Sequence, residues 1–184
     1  MTGDFVITRE HLLALGACID GVEFFDRTYQ DGRAEYQDML DKAVDGGHTD
    51  YASWLLAKIG PTEDTLEVDE INSADTDVVF AGSIRVRTRI VVGCIEAGGG
   101  IEAGRGIEAG GGIEAGDGIK AGRGIEAGWG IKADYGIKAG RGIEAGWGFG
   151  VYAGLHVRIT ETDHRTIKAA SKPDNIMCGV WEDA

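Results

Sequence analysis

From Ile95 onward the chain repeats itself every six residues. The units read Ile95-Glu-Ala-Gly-Gly-Gly, then Ile101-Glu-Ala-Gly-Arg-Gly, and Ile returns at 107, 113, 119, 125, 131, 137 and 143. Phe149 and Leu155 stand at the Ile position of the last two units, and Val79-Phe-Ala81, Ile84-Arg-Val86 and Ile90-Val-Val92 read as divergent early ones. A unit this short buries nothing alone, so the repeats must stack on one another. Ile and Ala, two apart, share one face of an extended segment, and the Glu or Lys between them faces outward. Gly-x-Gly then offers permissive backbone for a corner. The segment from Val79 to Leu155 is therefore expected to be a coiled β-solenoid, a scaffold or binding surface rather than an enzyme active site.

The residue between the two glycines sets the size of the coil. Read every 18 residues, it gives Arg105, Arg123 and Arg141 in one column, Gly111, Trp129 and Trp147 in a second, and Gly99, Asp117 and Tyr135 in a third. Read every 12, it mixes Arg105, Asp117, Trp129 and Arg141. Eighteen residues per coil means three sides, a triangular prism; duplication of an 18-residue segment leaves the same trace, and both can hold. Fourteen units make about four to five coils, roughly 20 Å tall at the ~4.8 Å strand spacing.

This pattern resembles the hexapeptide-repeat β-helices and the triangular solenoid of bactofilin-like proteins. The resemblance is architectural and covers the middle of the chain. It departs from the usual hexapeptide pattern, which has a small residue two before the aliphatic one; here that position carries Arg, Asp, Trp or Tyr. Handedness stays open.

The chain is otherwise two things compositionally. Of its 31 glycines, 22 lie between Gly93 and Gly154. Residues 1–77 hold 18 acidic and 5 basic side chains, whereas residues 78–184 hold 13 of each, so the whole net charge of −13 belongs to the N-terminal part. Such a field discourages nucleic-acid binding there and favours basic partners. Cys18, Cys94 and Cys178 form no metal pair and no disulfide framework, which fits a reducing compartment. The first residues lack a signal-peptide pattern and no apolar run is long enough to span a membrane, so a cytoplasmic location is expected, with no membrane partner.

The N-terminal part reads as helical. Thr8 can cap a helix starting at Arg9, with Leu12, Leu13 and Leu15 as its apolar stripe. Ala17 to Phe25 follows; Ala34 to Val44 gathers Tyr36, Met39 and Leu40; Tyr51, Trp54, Leu55 and Ile59 make another face, closed by Gly60-Pro61. The fold class is α+β: a small acidic helical bundle (1–62), an acidic linker (63–78), a triangular β-solenoid (79–157) and a β-rich C-terminal cap (158–184). The run Ala14-Leu-Gly-Ala-Cys18-x-x-Gly21-x-x-x-Phe25 resembles a helical segment common in uncharacterised bacteriophage and prophage proteins, which implies a mobile-element origin.

Several chemistries are set aside on residue grounds. Hexapeptide-repeat acyltransferases use a catalytic His beside a coil or in an extruded loop, yet no His lies between His48 and His156 and the repeats run uninterrupted. No His-x-x-x-His spacing gathers the four histidines, and no metal or other cofactor is expected. Gly-x-Gly recurs without a Walker Lys-Ser/Thr, so it is not a phosphate loop. Calcium-binding repeats need Asp in every unit, and ice-binding solenoids show ranks of Thr; neither is present.

What remains is surface. Arg105, Arg123 and Arg141 should form a ladder, Trp129 and Trp147 a ridge with Tyr135 on the next corner, and Glu108, Glu126 and Glu144 an acidic column whose like charges repel. The Trp ridge could equally pack under the helices or the cap. In the head, Asp20, Glu23, Asp26, Asp38 and Asp41 are candidates for contacting a basic partner. The expected function is non-enzymatic: a phage-type inhibitor, of the kind anti-CRISPR and other anti-defence proteins represent, whose acidic head occupies a basic nucleic-acid-binding surface of a host defence protein. The alternative is a bactofilin-like self-associating scaffold, with a homodimer through the Trp ridge; acyl transfer is the remaining enzymatic reading.

Overall fold

The computed structural model describes residues 5–146, 148–154 and 162–184. Its architecture follows from the repeat. Ile101, Ile107, Ile113 and their equivalents are essentially inaccessible, their Ala partners nearly so, and the residue between them points outward. Each inner three-residue strand satisfies its backbone by pairing with the strands of the coils above and below, all in parallel, and the end strands pair on one side. The register runs Ile101 to Ile119 to Ile137 on the first face, Ile107 to Ile125 to Ile143 on the second, and Ile95 to Ile113 to Ile131 on the third. Steps of 18 residues close three sides, so the section is triangular.

The first face contains seven strands, the second five and the third six, about six coils in all. This exceeds the four to five expected, and gives a prism roughly 30 Å tall at ~4.8 Å per strand. The difference lies at both ends. The stretch from 63 to 78, expected to be an acidic linker, is the first coil. Its strands Thr65–Val68, Ile71–Ser73 and Val78–Phe80 pair with Ser83–Val86, Ile90–Val92 and Ile95–Ala97. Leu66, Val68, Ile71 and Val78 pack on the core, and sparse apolar content suffices because the coil above supplies the facing surface.

The C-terminal segment also continues the ladder rather than only capping it. Thr166–Ala169 pairs with Ile137–Ala139 and then with Val180–Asp183, while Ile176–Cys178 pairs with Val151–Ala153. The six-residue count fails just before this. Ile131 pairs with Val151, so Phe149 does not take the Ile position; it is 48% exposed, and Gly148, at φ 89°, carries the inserted turn. Leu155, Trp147 and His156 lie outside the described residues.

The repeat glycines do a different job from the one expected. None between Gly93 and Gly146 has a positive φ, so the corners need no left-handed backbone. The first glycine of most Gly-x-Gly units is there for space, Gly110 being an exception with 3.7 Å from a Cβ to the nearest carbonyl oxygen. A Cβ on Gly122 would sit 2.2 Å from the carbonyl oxygen of Gly104 in the coil beneath, and one on Gly128 would sit 2.0 Å from that of Gly110.

The head comprises four helices, α1 (Arg9–Leu15), α2 (Ile19–Thr28), α3 (Tyr36–Asp45) and α4 (Thr49–Ile59). The Thr8 hydroxyl accepts from the His11 amide at 3.4 Å, and Gly16 closes α1 in the left-handed region. Leu12 is buried, but Leu13 is 50% exposed, so the predicted stripe is narrower than three leucines. A short antiparallel ribbon, Val6–Thr8 against Arg33–Glu35, brackets α1 and α2 and has no clear periodic signal in the sequence. Phe25, Tyr36, Met39, Leu40 and Leu55 form the core, and this core includes Val79 and Ala81 of the first coil.

Head and prism are therefore one packed unit. Gln37 donates to the Val79 carbonyl at 3.0 Å and accepts from the Ala81 amide at 2.9 Å. The Thr49 hydroxyl donates to Asp77 at 2.6 Å, and the Ser53 hydroxyl donates to Glu96. The head thus rests on the third face and on the corner leading from it to the first.

Candidate binding surface

The three outward columns have different charge patterns. On the first face Glu67, Arg85, Glu102 and Lys120 stack in register, with Arg85–Glu67 at 2.7 Å, Arg85–Glu102 at 3.8 Å and Lys120–Glu102 at 2.8 Å. Further up, Lys168 meets Glu182 at 3.0 Å. On the third face Lys132 meets Glu114 at 3.2 Å, and Glu96 lies under the head. Burial pushes Glu96 above the usual carboxylate range, whereas the hydrogen bond from Lys120 pulls Glu102 below it.

The second face differs. Glu108, Glu126 and Glu144 stack directly on one another, with Val91 beneath. The arginines also form a true column, since the Arg123 amide donates to the Arg105 carbonyl at 2.7 Å and the Arg141 amide to the Arg123 carbonyl at 3.1 Å. Both columns line one groove of about 1260 Å³, closed at one end by the loop from Ser171 to Met177 and at the other by Glu70 and Arg89. Among the described residues, none of these six side chains has an ion-pair partner within 4.0 Å. Arg89 is occupied differently, held by Glu70 at 2.6 Å.

The aromatic candidates are dispersed. Trp129 lies above Gly111, is 55% exposed and stacks on Phe149 at 6.2 Å between centroids. It faces a groove of about 410 Å³, across from Thr49 and Ser53 of the head, and is not in the head's core. Tyr135 meets His164 edge-on at 5.0 Å, on the corner between the third and first faces. The structure therefore does not bring Tyr135 and Trp129 together.

The five head carboxylates are all exposed, but they are not equally available. Asp26 is paired with Arg9 at 3.1 Å, Asp38 accepts from the Tyr29 hydroxyl at 2.7 Å, and Asp41 accepts from Gln37 at 2.8 Å. Asp20 and Glu23, on α2, have no such partner among the described residues. The charge division also shifts. Residues 1–62 hold 11 acidic and 5 basic side chains, and residues 63–77 hold 7 acidic and none basic. Over half of the net charge of residues 1–77, −7 of −13, thus sits on the first coil, where Arg85, Arg87 and Arg89 of the next coil pair with Glu67, Asp69 and Glu70 at 2.6–2.7 Å.

A cleft of about 300 Å³ in the head, lined by Leu12, Cys18, Met39, Tyr51 and Trp54, was not foreseen, because it depends on how the Gly16-Ala17 turn sets α2 against α4. His11 stacks on Phe5 and His48 on Tyr51. Among the described residues, no group of three His, Cys, Asp or Glu is placed to hold a metal ion, and no helix is long and apolar enough to cross a membrane. Comparison with protein-family models, with curated proteins and with solved structures finds no match.

Proposed function

We propose that the protein is a non-enzymatic binding protein whose acidic helical head occupies a basic surface of a partner protein, in the cytoplasm of a bacterial host. The partner class is a nucleic-acid-binding defence protein, the kind that phage inhibitors, anti-CRISPR proteins among them, block. The observation that carries this reading is the unpaired Asp20–Glu23 pair on α2, presented by a head that is clamped to a rigid prism. A head held in one orientation loses little freedom on docking, which favours affinity. With 11 acidic against 5 basic residues the head still carries a field that attracts cationic surfaces.

The test is capture from nuclease-treated bacterial lysate at low salt, with the D20K/E23K variant in parallel. The expected result is retention of basic nucleic-acid-binding proteins, released by about 0.3 M salt, and their loss with the variant. Retention of no such protein, or identical retention by the variant, contradicts the reading.

A second reading, a self-associating scaffold, has its own support in the unpaired charges of the second face. End-to-end stacking is not its natural form. The first strand of the first face presents Glu67 and the last presents Glu182 and Asp183, so stacking sets acid against acid.

A further inference from the structure

We infer that the second face is a docking surface for a second copy of this chain, the two prisms lying side by side about a two-fold axis parallel to their lengths. This stands independently of whatever the head binds. The first and third faces form ion pairs along their columns, Glu67–Arg85, Glu102–Lys120 and Lys168–Glu182 on the first and Glu114–Lys132 on the third, although Lys138 stands between Lys120 and Lys168 and Glu114 stands over Glu96. The second face does not: its cations and anions form two separate columns, each of one sign, sharing one groove without an ion pair among the described residues.

Two columns of opposite sign along one face are complementary to themselves under one rotation only. Two such faces can meet about a two-fold axis that runs along the strands or one that runs along the prism. The first inverts the order of coils and sets Arg on Arg and Glu on Glu. The second, placed midway between the columns, sets every arginine opposite a glutamate of the partner at the same height. Arg105 then faces Glu108, Arg123 faces Glu126 and Arg141 faces Glu144, and the relation is reciprocal, as a two-fold contact requires. The match holds along the whole groove because both prisms repeat at the same strand spacing, so a pair formed at one coil places the next in register.

The head leaves the second face uncovered. The head rests on Val79, Ala81 and the third face, and no head residue is among those lining the groove. The corner that carries Ala81 joins the third face to the first, which in a triangular section is the corner opposite the second face. At the end of the groove bounded by the C-terminal loop, Phe149 and Met177 are 48% and 66% exposed, giving the ionic contact an apolar neighbour. Five strands at ~4.8 Å and one six-residue side give on the order of 400 Å² of area. That lies at the small end for a specific interface, so the dimer is expected to dissociate at about 10–100 μM.

Sedimentation of the full chain at about 100 μM in about 20 mM salt tests it. The wild type is expected to be substantially dimeric there and monomeric in 0.5 M salt. R123E and E126R should each weaken association at least about tenfold, because each sets like charges across the interface. The double swap R123E/E126R restores the opposite pairing and should return to within about threefold of wild type. Circular dichroism melts confirm that each variant is folded; if a reversal fails to fold, R123Q and E126Q replace it, each expected to weaken association severalfold. A monomeric wild type, as when the groove takes an extended zwitterionic peptide instead, overturns the proposal. So does a dimer indifferent to the reversals, or a double swap no better than the single changes.

Discussion

The first coil and the coils of the strict repeat stand in one ladder but are made of different materials. Above the Val86 level, the column at the corner from the first to the second face is Gly104, Gly122 and Gly140, each too close to the carbonyl below to carry a side chain. Below that level the same column holds Arg87 over Asp69, joined by a 2.7 Å ion pair. What the two regions share is the aliphatic residue turned inward on each side and the amide-to-carbonyl ladder. The difference shows what the ladder requires. Glycine at the corner allows uniform close stacking but is not needed to turn the chain, and a coil without it can be held by charges from the coil above. Asp134 makes the same point within the repeat, since it stands at the glycine position and its amide still donates to Ala115 at 3.1 Å.

The largest expected effect comes from the core that both regions share. Ile125→Ala empties a site with no solvent contact and should cost about 2–5 kcal/mol in denaturant unfolding. Ile71→Ala, at a half-buried site in the first coil, should cost about half as much. Equal losses would erase the distinction between a full central coil and a looser first one.

The next effect separates two glycines of one tripeptide. Gly122→Ala drives a methyl into the Gly104 carbonyl and should cost about 2–3 kcal/mol. Gly124→Ala places its Cβ at 3.6 Å from the nearest carbonyl oxygen and should change stability by no more than about 0.5 kcal/mol. If both are tolerated, close stacking is not why the repeat keeps glycine.

Neutralising the first coil should matter less. E67Q, D69N and E70Q each break an ion pair whose side chains are 44–76% exposed, so each should cost at most about 1 kcal/mol, vanishing in high salt. Smallest is a pair of opposite pH effects at the same position of the repeat. Glu96 is held above its usual range, so its ionised form opposes folding, and E96Q should stabilise at neutral pH with the gain fading as pH falls through the carboxylate range. Glu102 is held below its usual range, so it stabilises above its unfolded value, and the loss from E102Q should fade over the same acid descent. Melting curves between about pH 3 and pH 7 read both.

The prism was legible where the sequence is redundant. Arg105, Arg123 and Arg141 announced the coil length because the variable residue repeats every 18 positions, and the structure stacks them. It was illegible where pairing rather than pattern does the work. Leu66, Val68 and Ile71 make no periodic signal among seven acids, and only the register with Ile84, Val86 and Ile90 reveals a coil. Phe149 was misplaced because a two-residue insertion is invisible to a count of six, and the pairing of Ile131 with Val151 corrects it. The outward columns were readable as lists of charges. Their consequence was not, since only the strand order shows that Glu102 meets Lys120 while Glu108 meets Glu126. The joint between head and prism also escaped, because Val79 reads as an inward residue of the repeat yet points into the helices.

Corner residues 18 apart lie directly over one another, while those 12 apart do not. Nitroxide labels on Arg105→Cys with Arg123→Cys, in a chain whose three native cysteines are Ala, measure it by dipolar broadening. Strong broadening is expected for that pair, one strand spacing of ~4.8 Å apart in backbone, and far weaker broadening for Arg105→Cys with Asp117→Cys, a prism side of roughly 20 Å away. Strong broadening of the second pair and not the first would contradict a three-sided coil.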